Sequence, residues 1–306
     1  MTNGSSGDPV TLPAAPTTGE RGSQDSASGI RSPVGYPRGS GQNDRSAGDV
    51  PPNESSGGGV LWEEATLRAP HAQADKAARV RRMFEAIAPT YERVNTLFSA
   101  GRDRAWRRAA VAAANVGPED TVLDVACGTG DLSRAFFEGQ VKPQQVVGGD
   151  FARGMLTLAA ARSDGRIGWV QGDALHLPFP RGCFTVVSCA FGVRNFQDAE
   201  AGLREMHRVL RPGGRAVVLE FTLPRGRLMR MLYLAYCRVL MPWGATLVSR
   251  DRTGAYRYLP RSIEAFVDDR DPGERLKRAG FASVWARPMT MGIVTIYHAV
   301  KSNDGE

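Results

Sequence analysis

A glycine-rich turn and three aspartates are the residues of this sequence whose types and spacing best fit a binding site. The turn is formed by Gly128, Thr129 and Gly130, and it closely follows the apolar run 121–125. A buried strand, a tight glycine turn and a helix start bring backbone N–H groups to face one ligand. We therefore expect a nucleotide-like or carboxylate-bearing ligand at this turn.

The three aspartates narrow the class of ligand. The third glycine of the dinucleotide fingerprint is missing, because Ser133 stands there. Asp150 ends the next apolar run and could accept both hydroxyls of a ribose, while Asp173 ends a third run and could accept from an adenine amino group. Asp124 precedes the glycines and could meet a charged amino group. Each aspartate alone could equally be a helix cap, but the series favours a nucleoside with two free hydroxyls.

Apolar runs alternate with helical patterns around these residues. The predicted strands are 121–125, 145–149, 167–171, 184–189, 216–221, 282–286 and 294–301. The predicted helices between them include 155–161, 199–210 and 272–279. Continuous apolar strands that alternate with helices are typical of parallel sheets covered on both faces. We predict an α/β fold with a seven-stranded, mostly parallel, doubly wound sheet.

Two segments interrupt the alternation and could cover the site. Helical spacing begins near residue 74 and leads to Tyr91, Asn95 and Trp106, which predicts an N-terminal helical cap. This cap either packs on the core or forms a lid that contacts the ligand. Residues 224–246, after the fifth strand, predict a helical insertion that is apolar and fringed with arginines. The insertion could cover the sheet edge, close over a greasy substrate or contact a membrane surface.

Composition divides the chain into a tail and one domain. Residues 1–60 are crowded with Gly, Ser and Pro, and we expect a disordered tail over 1–73 and a domain over 74–306. The net charge of +7 suits nucleic acid, an anionic membrane or a phosphorylated ligand. The four cysteines show no metal-ligand spacing, so we expect a reducing compartment, no disulfide framework and no metal. No apolar run is long enough for a membrane span.

Longer motifs carry a resemblance to a known family from about Phe84 to Lys301. The motifs are Ile87-Ala88-Pro89-Thr90-Tyr91, Leu123-Asp124-Val125-Ala126-Cys127-Gly128-Thr129-Gly130-Asp131, Gly172-Asp173-Ala174, Phe191-Gly192-Val193-Arg194-Asn195 and Tyr256-Arg257-Tyr258-Leu259. The sequence resembles the class I S-adenosylmethionine-dependent methyltransferases, which are Rossmann-like, and within them the quinone-biosynthesis C-methyltransferases. Those enzymes methylate demethylmenaquinol or the polyprenyl benzoquinol precursor of ubiquinol. The family usually has His where Asp103 stands and Asp where Thr185 stands.

The resemblance implies S-adenosylmethionine as the cofactor and a set of residues that hold it. Those residues are Asp124, Ala126, Gly128, Thr129, Gly130, Asp150, Met155, Asp173 and Ala174. It also implies three catalytic residues, Arg194, Asn195 and Tyr91. A quinol ring carbon attacks a methyl group well when the neighbouring hydroxyl is partly ionised, and Arg194 could lower the pKa of that hydroxyl. Asn195 would bind this ring oxygen and Tyr91 the opposite one, while the alternative for Arg194 is an ion pair with Glu220.

The function that these features favour is C-methylation of a polyprenyl quinol ring, demethylmenaquinol to menaquinol, in menaquinone biosynthesis. The alternatives are the benzoquinol step of ubiquinone biosynthesis or both steps, methylation of another lipid-like phenol or sterol, an RNA methyltransferase and a non-catalytic binding module. We see no added RNA-binding module, so we expect no nucleic-acid partner. We expect a cytoplasmic protein with a peripheral contact at the inner face of the membrane. The oligomeric state stays open between monomer and homodimer.

Overall fold

A seven-stranded sheet lies at the centre of the part of the chain that this computed structural model describes, residues 61–241, 244 and 253–303. The strands are β1 (Thr121–Val125), β2 (Gln145–Asp150), β3 (Ile167–Gln171), β4 (Phe184–Ala190), β5 (Leu210–Phe221), β6 (Ser283–Met289) and β7 (Val294–Val300). Their order in the sheet is β3-β2-β1-β4-β5-β7-β6. Strand β7 runs antiparallel to both of its neighbours, and the first five strands pair in parallel. The predicted mostly parallel sheet is confirmed.

Helices cover both faces of this sheet, as the doubly wound prediction requires. They are α1 (Glu64–Leu67), α2 (Lys76–Ile87), α3 (Tyr91–Phe98), α4 (Arg102–Ala114), α5 (Asp131–Ala135), α6 (Arg153–Ala161), α7 (Ala199–Val209), α8 (Arg227–Ala235), α9 (Ala255–Asp269) and α10 (Pro272–Arg278). One buried cluster joins the sheet to Leu203 and Leu276 of α7 and α10, and another joins it to Trp106 and Leu132 of α4 and α5. Within the described ranges, no helix combines the length and the apolar character that crossing a membrane requires.

The register of the central strands brings the predicted site residues to one edge of the sheet. All five residues of β1 are buried, as expected for a strand covered on both faces. Val125 pairs with Gly149 of β2, and Asp124 pairs with Ser188 of β4. The carboxyl ends of these three parallel strands therefore lie together, which is where open α/β sheets bind ligands.

The N-terminal boundary of the domain differs from the prediction. Residues 1–60 of the predicted tail lie outside the described residues, but residues 61–73 pack on the domain. Trp62 is fully buried, and its ring stacks on Tyr258 of α9 at 4.2 Å between centroids. Leu67 of α1 is also buried in the cluster that contains Val80 and Met83 of α2. Burial of these large apolar side chains offsets the entropy of ordering the segment, so the tail prediction is wrong for 61–73.

The insertion after β5 is helical but is not one regular helix. Helix α8 begins at Arg227 and passes into a π-helical turn over Tyr236–Leu240. Residues 242–243 and 245–246 of the predicted segment lie outside the described residues. A π-turn adds one residue to a helical turn and rotates the following side chains, and such turns are frequent at functional sites. Here Tyr233, Tyr236 and Cys237 face the interior around the turn.

Candidate active site

A cavity at the carboxyl ends of β1, β2 and β4 brings together most of the predicted cofactor residues. Those that line it are Ala126, Gly128, Asp150, Met155, Asp173 and Ala174. The remaining three predicted residues, Asp124, Thr129 and Gly130, do not line this cavity and instead shape the turn beside it. The nine residues were predicted as one binding set. The structure shows that six of them line the cavity and that the other three shape the turn beside it.

Asp150 lines this cavity and is held in place by hydrogen bonds from the backbone. Its carboxylate accepts hydrogen bonds from the Gly128 N–H and the Ala152 N–H, both at 2.8 Å. Burial raises the pKa of Asp150 to about 6. A carboxylate has about four acceptor positions, so two backbone bonds leave room for a pair of ligand hydroxyls. The arrangement fits the predicted contact with a ribose.

The two glycines of the turn have different steric surroundings. Gly128 has φ +57°, and a Cβ placed there would meet no atom within 4 Å, so open space lies over the backbone. Gly130 has φ +81°, and its Cβ would lie 2.5 Å from Cη2 of Trp169. Gly128 therefore leaves room for a ligand, and Gly130 leaves room for the indole. Trp169 was not among the predicted site residues, because its position on β3 indicated only a buried strand.

Asp124 supports the turn from behind. Its two carboxylate oxygens accept hydrogen bonds from Ser133 Oγ at 2.6 Å and Ser188 Oγ at 2.9 Å. Burial raises the pKa of Asp124 to about 6. Ser133 belongs to α5 and Ser188 to β4, so Asp124 ties the start of the helix to the sheet. The serine in place of the third glycine is therefore a hydrogen-bond donor, and contact of Asp124 with a ligand amino group stays a prediction.

The far end of the cavity carries Asp173 between apolar walls. Asp173 Oδ1 accepts from the Leu175 N–H at 2.9 Å, and Oδ2 finds no donor among the described residues and is open to a ligand. Met155, Phe151 and Leu177 line the cavity around it. The carboxylates of Asp150 and Asp173, with apolar walls between them, suit the ribose hydroxyls, the adenine base and its amino group in S-adenosylmethionine. Phe151 was not predicted, although it directly follows Asp150.

A second, larger cavity adjoins the first and is enclosed by the N-terminal cap and the insertion. It has an empty volume of about 1560 Å³ including its opening to solvent, and apolar and aromatic side chains of α2, α3, α8 and α9 dominate its lining. The side chains that line both cavities are Phe84, Tyr91, Phe191 and Asn195. A group on a ligand in one cavity can therefore reach a ligand in the other across this shared wall. We name the second one the acceptor cavity.

Arg194 lies in the acceptor cavity and makes the ion pair that the sequence offered as an alternative. Its Nη1 donates to Glu220 Oε1 and to the Phe191 carbonyl oxygen, both at 2.6 Å. Arg194 is 5% exposed and Glu220 is fully buried. The buried Nε–H of Arg194 finds no hydrogen-bond acceptor among the described residues. The guanidinium is thus held by Glu220 and still has a donor to offer.

Asn195 is fixed at both ends of its amide. Its Nδ2 donates to the Phe191 carbonyl oxygen at 3.2 Å, and its Oδ1 accepts from the Tyr258 hydroxyl at 3.1 Å. Burial raises the pKa of Tyr258, so its hydroxyl stays a neutral donor. Tyr258 also stacks on Trp62. The sequence motif contained Tyr258, but only the fold shows that it orients Asn195.

Tyr91 stands on the shared wall between two cationic groups. Burial raises the pKa of Tyr91, and the charges of Arg107 and Arg194 act in the opposite direction. The backbone at this wall is unusual, because Ala126 and Phe191 both have positive φ, at 53° and 58°. Non-glycine residues in this conformation cluster at functional sites. The structure therefore places Tyr91 and Asn195 on the wall that the two cavities share. Arg194 lies next to Asn195 in the acceptor cavity.

Comparisons with known proteins agree with this arrangement. Residues 72–301 match the model of the ubiE/COQ5 methyltransferase family. The demethylmenaquinone methyltransferase of Deinococcus radiodurans is 42% identical over 226 residues, which are 73% of this chain and 92% of that protein. The corresponding protein of Thermus thermophilus is 43% identical over 70% of this chain and 98% of its own length. The ubiquinone/menaquinone biosynthesis C-methyltransferase UbiE of Geobacter sulfurreducens is 40% identical over 74% and 90%.

The family match covers the cap, the sheet and the insertion, so it includes every residue of both cavities. The residues of the first cavity fit S-adenosylmethionine, and the predicted cofactor is confirmed. The chain belongs to the ubiE/COQ5 methyltransferase family.

Proposed function

We propose that this protein transfers the methyl group of S-adenosylmethionine to a ring carbon of demethylmenaquinol. The observation that carries the proposal is the shared wall: Tyr91 and Asn195 line both the cofactor cavity and the acceptor cavity. Relatives that bear the name demethylmenaquinone methyltransferase support the choice of a naphthoquinol. An acceptor cavity lined mainly by apolar and aromatic side chains suits a ring with a polyprenyl chain.

The chain's own residues position the acceptor and prepare its hydroxyl. When bound, S-adenosylmethionine supplies an electrophilic methyl group on a sulfonium. Arg194 donates to the ring oxygen next to the reacting carbon and lowers the pKa of that hydroxyl. Asn195, held by Tyr258, binds the same oxygen through its amide, and Tyr91 binds the opposite oxygen. The aromatic side chains of the wall exclude water from the line of transfer.

The benzoquinol precursor of ubiquinol is the second candidate acceptor. The printed name of the Geobacter relative covers both ubiquinone and menaquinone biosynthesis. The two rings carry equivalent hydroxyls, so Arg194 and Asn195 could bind either one. The acceptor cavity would distinguish them by the extra fused ring of the naphthoquinol.

A docking face on the insertion would deliver the acceptor from a membrane. We define it by Leu228, Met231 and Leu232 of α8 with Val239 and Leu240, whose exposed fractions run from 52% to 67%. Leu232 also lines the acceptor cavity, so the face is continuous with the cavity. Exposed apolar side chains at this density mark an interaction surface. Arg225 and Arg227, both exposed, add positive charge that suits an anionic lipid surface.

Steady-state kinetics with matched acceptors test the proposed substrate. The acceptors are long-chain demethylmenaquinol, the corresponding long-chain benzoquinol and a naphthoquinol without the chain. We expect the highest kcat/KM for demethylmenaquinol, and at least a tenfold loss without the chain because its burial contributes about 0.8 kcal/mol per CH₂. No methylation of either quinol would reject the proposal, and a preference for the benzoquinol would reject the choice of ring.

A further inference from the structure

Asp103 is a carboxylate in an acceptor cavity whose described lining is mostly apolar and aromatic, with a few neutral polar side chains and the arginines Arg102, Arg107 and Arg194. The side chain is 6% exposed and lies near the start of α4. Its Oδ1 accepts from Ser99 Oγ at 2.9 Å, and its Oδ2 accepts from Arg107 Nη1 at 2.7 Å. No other Asp or Glu of the described residues lines this cavity. The proposed reaction requires a group that can take a proton, and Asp103 has the chemistry for it.

A polar groove adjoins Asp103 on the side away from the acceptor. Asp103 and Arg107 line both the acceptor cavity and this groove. The other charged side chains of this groove are Arg104, Arg107 and Arg108 on α4, Glu92 on α3, Asp131 and Arg134 on α5, and Glu138. Arg102 lines the acceptor cavity beside Asp103. Arg107 also pairs with Asp131 at 3.3 Å, so its guanidinium keeps a carboxylate partner when Asp103 is neutral. Asp103 therefore lines both the acceptor cavity and a polar groove.

Tyr91 connects this carboxylate to the predicted catalytic residues. The charges of both Arg107 and Arg194 act on the Tyr91 hydroxyl, so Tyr91 lies within electrostatic reach of both arginines. Arg107 holds Asp103 directly, and Arg194 and Asn195 follow each other in the chain. Tyr91, Arg194 and Asp103 all line the acceptor cavity, so a ring bound against Tyr91 shares this cavity with both charged groups.

The chemistry of the proposed reaction needs such a group. The ring carbon forms a bond to the methyl group, the carbon–sulfur electron pair stays on sulfur, and the ring carbon loses its own hydrogen as a proton. The hydroxyl next to that carbon gives up its proton during transfer and regains one when the ring becomes aromatic again. One proton per turnover therefore has to leave the reacting ring.

We propose that Asp103 takes the hydroxyl proton of the acceptor, directly or through one water, and releases protons to the polar groove. The inference rests on the proposed function, because it assumes a phenolic acceptor. Arg194 stabilises the oxygen as it becomes negative, and Asp103 removes the proton. The two residues divide a task that an arginine alone performs poorly, since a guanidinium stays protonated.

Three variants test this role through activity. Asp103→Asn should lower kcat about 10²- to 10⁴-fold at neutral pH, the usual contribution of a general base. Asp103→His should restore part of kcat, with the acid limb of the pH profile moved to higher pH, because imidazole binds protons more tightly than a carboxylate. Asp120→Asn is the matched control: it removes a carboxylate that pairs with Arg215 at 2.6 Å, outside both cavities, and should leave kcat and its pH profile unchanged.

A binding measurement tests the position of Asp103 without turnover. A nitronaphthol changes its absorbance when its hydroxyl ionises, and it can be titrated in the complex with S-adenosylhomocysteine. The negative charge of Asp103 opposes the naphtholate, so the hydroxyl pKa of the bound probe should be higher in the wild type than in Asp103→Asn. Asp120→Asn should match the wild type. The measurement remains informative if Asp103→Asn is inactive for any reason, and Asp103→Ser, which also removes the charge, serves if the asparagine variant does not fold.

The outcomes separate the inference from the proposed function. A wild type that methylates demethylmenaquinol, together with an Asp103→Asn variant of unchanged kcat, would overturn the inference alone. So would an equal loss of kcat at every pH with no change in the pKa of the bound probe. A wild type that methylates no quinol would overturn the proposed function, while the probe would still show whether Asp103 faces the acceptor. Restored activity and a shifted acid limb in Asp103→His would support the role.

Discussion

At the scale of single residues, the buried pair of Arg194 and Glu220 decides how the site can be tested. Both side chains are almost inaccessible, at 5% and 0% exposure. Removing one partner of a buried pair leaves the other charge unpaired, which costs about 3–5 kcal/mol of folding free energy. A loss of activity in a simple Arg194 variant would therefore mix catalysis with stability. The pair has to be treated as one unit.

We predict that Arg194→Met combined with Glu220→Gln abolishes methyl transfer and largely preserves folding. The double substitution removes both buried charges together, and such replacements are often neutral for stability. Arg194→Ala alone should lower the melting temperature as well as kcat. S-adenosylhomocysteine binding, measured by calorimetry, should stay within about threefold of wild type in the double variant, because Arg194 does not line the cofactor cavity. Parallel loss of binding and kcat in the double variant would count against the assigned role.

Asp150 gives a second prediction at this scale, through pH. Burial raises its pKa to about 6 in the free protein. Ligand hydroxyls donate to the ionised carboxylate, so S-adenosylhomocysteine should bind at full strength above pH 6 and weaken as the pH falls through 6, by up to about tenfold per unit. Asp150→Asn should bind more weakly at pH 8 and lose this pH dependence.

Asp124 provides the control for the pH experiment. Burial also raises its pKa to about 6, but its carboxylate is hydrogen-bonded to Ser133 and Ser188 behind the turn. Asp124→Asn should therefore keep the weakening of binding below pH 6. If that variant lost the pH dependence and Asp150→Asn kept it, the assignment of the ribose contact would be wrong.

Single residues could be predicted from the sequence where their position follows from strand ends. Asp150 and Asp173 line the cofactor cavity because both close strands of a parallel sheet. The inward direction of Asp124 could not be predicted, since it depends on pairing with Ser188 across β1 and β4. Likewise, the sequence offered Glu220 only as an alternative partner for Arg194. Contacts between residues far apart in the chain need the sheet register, which spacing does not contain.

At the scale of elements, the glycine turn packs against Trp169 of β3 and also faces the cofactor cavity. The indole of Trp169 fills the space that a side chain at Gly130 would occupy. A Cβ at Gly130 would lie only 2.5 Å from Cη2 of Trp169. The left-handed φ of Gly130, +81°, adds about 1–2 kcal/mol of strain for any L-residue. The turn, α5 and β3 therefore keep one fixed geometry.

We predict that Gly130→Ala lowers the melting temperature and weakens S-adenosylhomocysteine binding more than tenfold. The clash with Trp169 moves the turn, and the turn carries the Gly128 N–H that orients Asp150. Gly154→Ala is the control, because a Cβ at that helical position meets no atom within 4 Å. Its melting temperature should be equal to or slightly above that of the wild type. Equal binding in both variants would contradict the fitted turn.

The N-terminal segment supports the acceptor side through α9. We predict that Trp62→Ala costs about 3–5 kcal/mol of folding free energy, the usual range for a buried tryptophan. It should also raise KM for the quinol, because Trp62 stacks on Tyr258, which holds Asn195. Chemical denaturation and steady-state kinetics measure the two effects. Trp285→Ala is the control, because Trp285 is 50% exposed, and it should change neither the folding free energy nor KM by much. Losses in Trp285→Ala as large as those in Trp62→Ala would contradict this prediction.

Elements were predictable where periodicity extends over several residues. Strands β1 to β4 match their predicted ranges to within one residue, because buried parallel strands appear as continuous apolar runs. Strand β5 begins at Leu210, six residues before its predicted start, because Leu210 pairs with Phe184 of β4 ahead of the Pro-Gly-Gly segment. The segment 61–73 was not found, since its few apolar residues, Trp62 and Leu67 among them, show no helical or strand period next to a tail of small and polar residues. The π-turn at Tyr236–Leu240 was not found either. Apolar residues occur on most sides of this helix, so one inserted residue hardly changes their spacing in the sequence.

At the scale of the whole molecule, the docking face and the basic charge predict how the protein meets its substrate. Leu228→Ser with Met231→Ser should weaken binding to anionic vesicles, as measured by sedimentation, by removing apolar area that would enter the interface. Arg225→Glu with Arg227→Glu should weaken it at least tenfold, at about 1 kcal/mol per lost arginine, and high salt should reduce the difference. Val141→Ser, at an exposed valine outside the face, is the control. Unchanged vesicle binding in both double variants would reject the docking face.

The central claim is that the two cavities bring one methyl group to one ring carbon, and isotopic labelling tests it most directly. The purified protein would receive S-adenosylmethionine with a CD₃ group together with demethylmenaquinol, and the product would be analysed by mass spectrometry. The account predicts a product in which CD₃ replaces the ring hydrogen and both hydroxyls remain free, and no such product from the Arg194→Met, Glu220→Gln variant. Label on a ring oxygen, or no transfer by the wild type, would contradict it.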